Sequence, residues 1–104
     1  MDSNEIDAMV EKATHATNML KALGHEGQLL ILCHLAHGEK SVAELEHALS
    51  LRQPAVSQQL SRLRAENIIE ARREGQSIYY SITDDRAEQI INLVYDLFCG
   101  PDGS

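Results

Sequence analysis

The chain has 104 residues, of which 43% are hydrophobic, and a formal net charge of −7 at pH 7. This length predicts a single domain, 1–104, with one small core, and the lack of any run of about 18 apolar residues excludes a membrane-spanning helix. The acidic, amphipathic first segment does not have the pattern of a secretion signal, so we expect a cytoplasmic protein with no membrane partner.

The first two segments read as helices. Apolar residues keep helical spacing over about 4–23, with Ser3 or Asn4 as the cap and Gly24 as the end. The broad apolar stripe of this helix suits packing against another helix, including one from a second subunit. The segment over about 26–36 is apolar nearly all round, which predicts a buried central helix, with a buried strand as the alternative.

A helix-turn-helix is predicted over about 41–66. Its first helix runs to about Leu49 and follows a capping box formed by Ser41 and Glu44. A short turn then leads into a second helix that begins near Pro54, because proline fits the first turn of a helix.

The second helix of this pair has one apolar face and one polar face. Val56, Leu60 and Leu63 recur at helical spacing and predict the buried face. The polar face consists of amides, hydroxyls and arginines, groups that bind base edges and phosphates. The predicted base-reading residues are Ser57, Gln58 and Gln59. Further DNA contacts are predicted for Gln53, Ser61, Arg62 and Arg64.

The hydrophobic period changes after Asn67. Strands over 68–73 and 77–82, joined by a turn that contains glycine, predict a β-hairpin. A hairpin at about 68–83, directly after a helix-turn-helix, is typical of a wing that touches the DNA backbone or minor groove. The predicted DNA contacts in and beside its tip are Arg72, Arg73 and Gln76.

The charge distribution agrees with a DNA-binding face on an acidic body. Residues 52–73 contain five arginines and two glutamates, a local balance of +3, which leaves −10 for the rest of the chain. Because salt screens exposed charges beyond roughly 8–10 Å, such a face can still attract phosphates.

The last predicted helix spans about 85–99, with Thr83 or Asp84 as its cap. Its apolar residues cover more than one narrow face, so part of them can pack in the domain and part against a partner. The chain has two cysteines, Cys33 and Cys99, without a C-x-x-C spacing. From the residues alone, two buried and inert thiols are the simplest interpretation.

The order of these elements, with the strings AVSQQLSRLR at 55–64, RREG at 72–75 and IYYSI at 78–82, resembles the ArsR/SmtB family of bacterial regulators over essentially the whole chain. The resemblance implies a mainly α winged helix-turn-helix of five helices, with the β-hairpin wing before the last helix. It also implies a repressor that binds double-stranded DNA at an inverted-repeat operator. In that family the helices at about 4–23 and 85–99 would form a homodimer.

The sensory sites of this family are usually metal sites, and most of their ligands are missing here. The helix before the recognition helix has no thiol, and at the other site Asp84 remains, but Arg86, Leu97 and Gly100 stand at the remaining positions. Arginine, leucine and glycine side chains do not coordinate zinc. We therefore predict neither a metal site nor a cofactor.

The cysteines point to a different effector. A cysteine on the second helix and one closing the last helix resemble the sulfide- and persulfide-responsive SqrR/BigR-like subgroup, which implies that a disulfide or polysulfide bridge between Cys33 and Cys99 switches operator affinity. One alternative is a repressor that senses peroxide or electrophiles through a simple disulfide, and another is a metal sensor that uses these thiols with His34 and His37. The sequence contains no catalytic motif, so we predict that the protein is not an enzyme.

Overall fold

The computed structural model describes residues 2–49 and 53–100, and within these ranges the chain forms five helices and three short strands. Their order is α1 (Ser3–Leu23), α2 (Glu26–Leu35), β1 (Lys40–Ser41), α3 (Val42–Leu49), α4 (Gln53–Ala65), β2 (Ile69–Glu74), β3 (Ser77–Ile82) and α5 (Asp85–Cys99). The predicted mainly α fold, with a hairpin before the last helix, is confirmed. Most of the predicted turn at 50–53 lies outside the described residues.

The core is centred on α2, which packs against both α4 and α5. Ile31 and Leu32 of α2 are completely buried, as are Val56 and Leu63 of α4 and Ile91 of α5. The predicted apolar stripe of α4 is therefore its buried face. The central position of α2 is also confirmed, and this helix packs against both α4 and α5.

Aspartate side chains cap the starts of α1 and α5. The carboxylate of Asp2 accepts a hydrogen bond of 2.8 Å from the Glu5 backbone N–H, so the prediction of Ser3 or Asn4 as the cap of α1 was wrong. An aspartate serves well here because its charge also interacts favourably with the helix dipole. Asp84 caps α5 by accepting from two backbone N–H groups.

The capping box at α3 is confirmed. The Glu44 N–H donates to Ser41 Oγ over 3.1 Å, and the Ser41 N–H donates to Glu44 Oε1 over 3.0 Å. Ser41 also belongs to the short strand β1, which the sequence analysis did not predict because two residues carry no periodicity. Its pairing with β3 gives the sheet order β1-β3-β2 and ties the hairpin to the start of α3.

The first strand of the hairpin begins and ends one residue later than predicted. Ile69 pairs with Ile82 at the base and Glu74 pairs with Ser77 at the tip, which leaves a two-residue loop. Gly75 in that loop has a φ of 63°. Two-residue hairpin turns require such positive φ angles, which glycine adopts without steric cost.

The junction between α4 and the wing depends on Asn67. This residue has a φ of 60°, and its N–H donates to the Arg64 carbonyl while the Ile68 N–H donates to the Leu63 carbonyl. This is the Schellman arrangement, which ends a helix with one left-handed residue, usually glycine and sometimes asparagine. Asn67 therefore sets the direction in which the chain leaves α4 and enters the wing.

We expect the substitution Asn67→Ala to lower the free energy of unfolding by about 1 kcal/mol, because alanine tolerates the left-handed conformation poorly. The matched control Asn67→Gly should stay within about 0.5 kcal/mol of the original protein, since glycine adopts this conformation freely. Urea unfolding of both variants at one protein concentration measures the difference. Equal stability of the alanine and glycine variants would contradict the assigned role.

Candidate DNA-binding surface and thiol pair

The exposed face of α4 carries most of the predicted DNA-binding residues. Gln58, Ser61, Arg62 and Arg64 are exposed and Ser57 is half-buried, whereas Gln53 begins the helix. The helix contains no carboxylate over its whole length. Packing against α2 and α3 holds its other face, so the polar side chains project from a fixed support.

Gln59 differs from the other predicted base-reading residues. It is half-buried, and its side chain packs so closely on α2 that a Cβ atom at Gly27 would lie 3.1 Å from Gln59 Nε2. Its Oε1 atom is buried without a hydrogen-bond partner among the described residues. Gln59 was predicted to lie on the polar face, but its amide packs against α2, where Gly27 has no side chain to occupy the space.

Arg72 is engaged within the protein. Its guanidinium forms ion pairs with Glu39 Oε1 at 2.6 Å and with Glu74 Oε2 at 2.8 Å. It also lies 5.1 Å from the centroid of the Tyr79 ring, which faces it across the hairpin. The hydrogen bonds from Arg72 hold the pKa of the Glu39 carboxyl below its usual value. This arrangement differs from the predicted phosphate contact, because two carboxylates already balance the charge of Arg72.

Arg73, the next residue in β2, differs from Arg72 in its contacts. It is exposed, lies on the opposite face of β2 from Arg72, and donates from Nε to the Gly75 carbonyl over 3.3 Å. Within residues 2–49 and 53–100 it forms no ion pair, and neither Arg62 nor Arg64 does. Gln76, also exposed, follows in the hairpin loop. Among the described arginines, those without an ion pair thus lie on α4 and at the hairpin tip.

The two cysteines lie on helices that pack against each other. Cys33 is on α2 and half-buried, Cys99 is the last residue of α5 and exposed, and both thiols are free. Burial raises the pKa of the Cys33 thiol, and the negative charge of a nearby Cys99 thiolate raises it further. The interpretation of two buried, inert thiols does not fit the exposed position of Cys99.

His37 fixes the end of α2 near this pair. Its Nδ1 donates to the Cys33 carbonyl over 2.9 Å, and its ring stands edge-on to Tyr95 of α5, with 4.9 Å between centroids. His37 therefore contacts the backbone of Cys33 and links α2 to α5. In the sequence His37 was considered as a metal ligand in one of the alternatives, and its contact with Tyr95 has no local sequence signal.

Two further findings bear on the alternatives. The described part of the chain contains no cluster of three or more histidine, cysteine, aspartate or glutamate side chains that could hold a metal ion. None of the helices in that part is long and apolar enough to cross a membrane.

Known proteins resemble this chain in sequence and in fold. Residues 25–71 match the model of the bacterial regulatory protein arsR family. The biofilm growth-associated repressor of Agrobacterium fabrum is 43% identical over 98% of this chain and 89% of its own. The chain belongs to the ArsR family. As an ArsR-family protein with a winged helix-turn-helix, it is a DNA-binding transcriptional regulator and not an enzyme.

Solved structures agree with this assignment. Reduced HlyU from Vibrio cholerae has a TM-score of 0.86 and 36% identity, covering 88% of this chain and 97% of that one. The transcriptional repressor BigR from Xylella fastidiosa has a TM-score of 0.81 and 41% identity, covering 89% and 95%. The resemblance to the BigR-like subgroup of the ArsR family is thus confirmed at the level of sequence and fold.

Proposed function

We propose that this ArsR-family protein is a homodimeric repressor that binds an inverted-repeat operator and loses affinity for it when persulfides link Cys33 to Cys99. The observation that carries the DNA-binding part is the exposed, carboxylate-free face of α4, together with Arg73 of the wing, which forms no ion pair with any described residue. The observation that carries the switch is the placement of the two free thiols on the packed pair α2 and α5.

In this proposal α4 enters the major groove. Gln58 is the leading base-reading residue, because it is exposed and a glutamine can bind adenine bidentately. Gln59 ranks behind it, since its amide must first leave the contact with Gly27. The supporting contacts to bases and phosphates come from Gln53, Ser57, Ser61, Arg62 and Arg64.

At the wing we expect the substitution Arg73→Ala to weaken operator binding and to reduce the slope of log K against log salt concentration by about one unit. The matched variant Arg72→Ala should leave that slope near its original value, because Glu39 and Glu74 already balance Arg72 and it neutralises little phosphate charge. Fluorescence anisotropy at several salt concentrations measures both. An unchanged slope for Arg73→Ala would remove Arg73 from the contacts.

The proposed dimer buries apolar surface that one subunit leaves in solvent. Large apolar side chains of the terminal helices are 48–73% exposed, namely Ile6, Met9, Val10 and Leu20 of α1 and Leu93, Leu97 and Phe98 of α5. Burying a side chain of this kind contributes about 1.5–3 kcal/mol. A two-fold dimer through these faces presents two copies of α4 to half-sites about 34–36 Å apart.

The proposed thiol chemistry begins at the exposed cysteine. Cys99 attacks the outer sulfur of a persulfide RSSH and becomes Cys99–SSH, while RSH leaves. The Cys33 thiolate then attacks the Cys99 sulfur and expels HS⁻, which leaves a disulfide. If both cysteines are first converted to persulfides, the terminal sulfur of one attacks the inner sulfur of the other, expels HS⁻ and leaves a trisulfide bridge. In either route the sulfane sulfur of the persulfide is the oxidant, and Cys33 attacks second because burial disfavours its thiolate.

A bridge between these cysteines would affect the DNA-binding surface through the helices that pack between them and that surface. Cys33 belongs to α2, which packs directly against α4, whereas Cys99 belongs to α5, which carries part of the proposed dimer face. Joining α2 to α5 therefore couples the position of the recognition helix to the subunit contact. Since both copies of α4 must fit successive major grooves, a small change in their spacing lowers affinity. One solved structure of the relative HlyU is described as the reduced protein.

Selection of binding sites from a random DNA pool tests the DNA-binding part of the proposal and supplies the operator for the other measurements. The reduced protein should select an inverted repeat whose half-site centres are about 10–10.5 base pairs apart, or a multiple of that distance. The substitution Gln58→Ala should relax the preference at one position of each half-site. Selection of sequences without a repeat would contradict the dimeric mode of binding.

A further inference from the structure

Gly27 lies in the first turn of α2, where the backbone conformation does not call for a glycine. It is the second residue of this helix, and its φ is outside the left-handed region. Alanine forms helices better than glycine. Within the helices that the structure describes, Gly27 is the only glycine. A glycine at such a position indicates a close contact with another part of the chain.

That contact is with the side chain of Gln59 on α4. A Cβ atom at position 27 would lie 3.1 Å from Gln59 Nε2 and 3.2 Å from Gln59 Cδ. Both distances are shorter than the roughly 3.5–4.0 Å at which non-bonded heavy atoms pack best. The amide of Gln59 therefore occupies space that any side chain at position 27 would need.

The inward orientation leaves the carbonyl of this amide without a partner. Gln59 Oε1 is buried and accepts no hydrogen bond from a described residue, which is unfavourable for a group removed from water. Ala55 and Arg62, about one turn before and after Gln59 on α4, are exposed. Rotation about the side-chain bonds of Gln59 can therefore bring its amide out to the polar face. There the edge of an adenine offers Oε1 the donor that it lacks and offers Nε2 an acceptor.

We infer that Gly27 is a positioning residue for base recognition. The space above it holds the Gln59 amide in the free protein, and the amide leaves that space to bind a base when α4 enters the major groove. This inference rests on the proposed function, because it assigns two orientations to one of the proposed base-reading residues. Only molecules with the amide turned outward can make this contact, so the apparent affinity is lowered by the fraction that is turned inward. The residue at position 27 thus sets how much Gln59 contributes to affinity and specificity.

A double-mutant cycle with Gly27→Ala and Gln59→Ala tests this role on the selected operator, with fluorescence anisotropy as the measurement. Gly27→Ala should bind about three- to tenfold more tightly than the original protein, because its methyl group disfavours the inward amide. The gain should disappear in the Gln59→Ala background. In site selection, Gly27→Ala should show a stronger preference for adenine at one position of each half-site, and Gln59→Ala should lose it. An equal gain in both backgrounds would mean that alanine acts by stabilising α2 and would overturn the inference, as would unchanged or weaker binding of Gly27→Ala.

NMR observes the orientation of the amide directly. Nuclear Overhauser contacts between the Gln59 side-chain amide protons and the Gly27 Hα protons should be present in the free protein and absent in the operator complex. Contacts that persist in the complex, or that are missing in the free protein, would overturn the inference. A protein that selects no operator would refute the proposed function and this inference with it. Normal operator selection without coupling between positions 27 and 59 would refute this inference alone.

Discussion

Replacing Leu93 with glutamate is expected to convert the dimer into a monomer and to weaken operator binding by about 100-fold or more. Leu93 is 57% exposed in the single subunit, and Leu97, one turn further along α5, is 62% exposed. A carboxylate at the centre of a closed apolar contact would be buried without a partner, which is strongly destabilising. Operator affinity falls with the dimer because the second half-site no longer binds as part of the same molecule.

A matched variant makes this test specific. Asn92→Glu adds the same charge one residue earlier, on an exposed part of α5 that points about 100° away from Leu93. It should remain dimeric and retain operator affinity. Sedimentation velocity and fluorescence anisotropy on the selected operator measure the two properties. A Leu93→Glu protein that stays dimeric with undiminished affinity would place the subunit contact elsewhere.

Replacing either cysteine with serine is expected to abolish the response of operator binding to persulfides. Cys33→Ser and Cys99→Ser should each bind the operator as tightly as the reduced original protein, because neither thiol lies on α4 or the wing. After treatment with a persulfide donor, the original protein should lose affinity by about 5–150-fold, the usual range of allosteric coupling. Neither variant should respond, since one cysteine cannot form the bridge.

The two variants should differ in how fast their remaining cysteine is converted to a persulfide. Cys33→Ser retains the exposed Cys99 and should accumulate a persulfide there, visible in its intact mass as one added sulfur. Cys99→Ser retains only the half-buried Cys33, whose raised pKa slows the same reaction. Faster modification of Cys33 than of Cys99 would reverse the proposed order of attack. A persulfide response that survives in either variant would contradict the bridge as the switch.

The elements with strong periodicity were predictable from the sequence. The stripe of Val56, Leu60 and Leu63, the capping box at Ser41 and the last helix all follow from local patterns that the tertiary structure preserves. Strand β1 was not predictable, because its two residues become a strand only by pairing with β3. Asp2 was missed as the cap of α1 because several adjacent residues can serve that role equally well.

The site was predictable by residue type but not by orientation. Arg72 and Arg73 are adjacent in sequence, yet the alternation of the strand directs one toward Glu39 and leaves the other without an ion pair among the described residues. The pairing with Glu39 spans 33 positions of sequence and has no local signal. Likewise, Gln59 turns inward because Gly27, on another helix, leaves space for its amide. Such contacts depend on the packing of α2, α4 and the hairpin, which periodicity does not describe.

The most direct test of the proposed switch combines intact mass with operator affinity on one sample of the dimer. Reduced protein is treated with a persulfide donor, a parallel sample receives peroxide, and mass and anisotropy are followed together. We predict that affinity falls as the mass loses two hydrogens per subunit, with or without added sulfur, and that a dithiol reductant restores both. The same loss with peroxide would indicate a general disulfide sensor, whereas full affinity in fully bridged protein would contradict the switch.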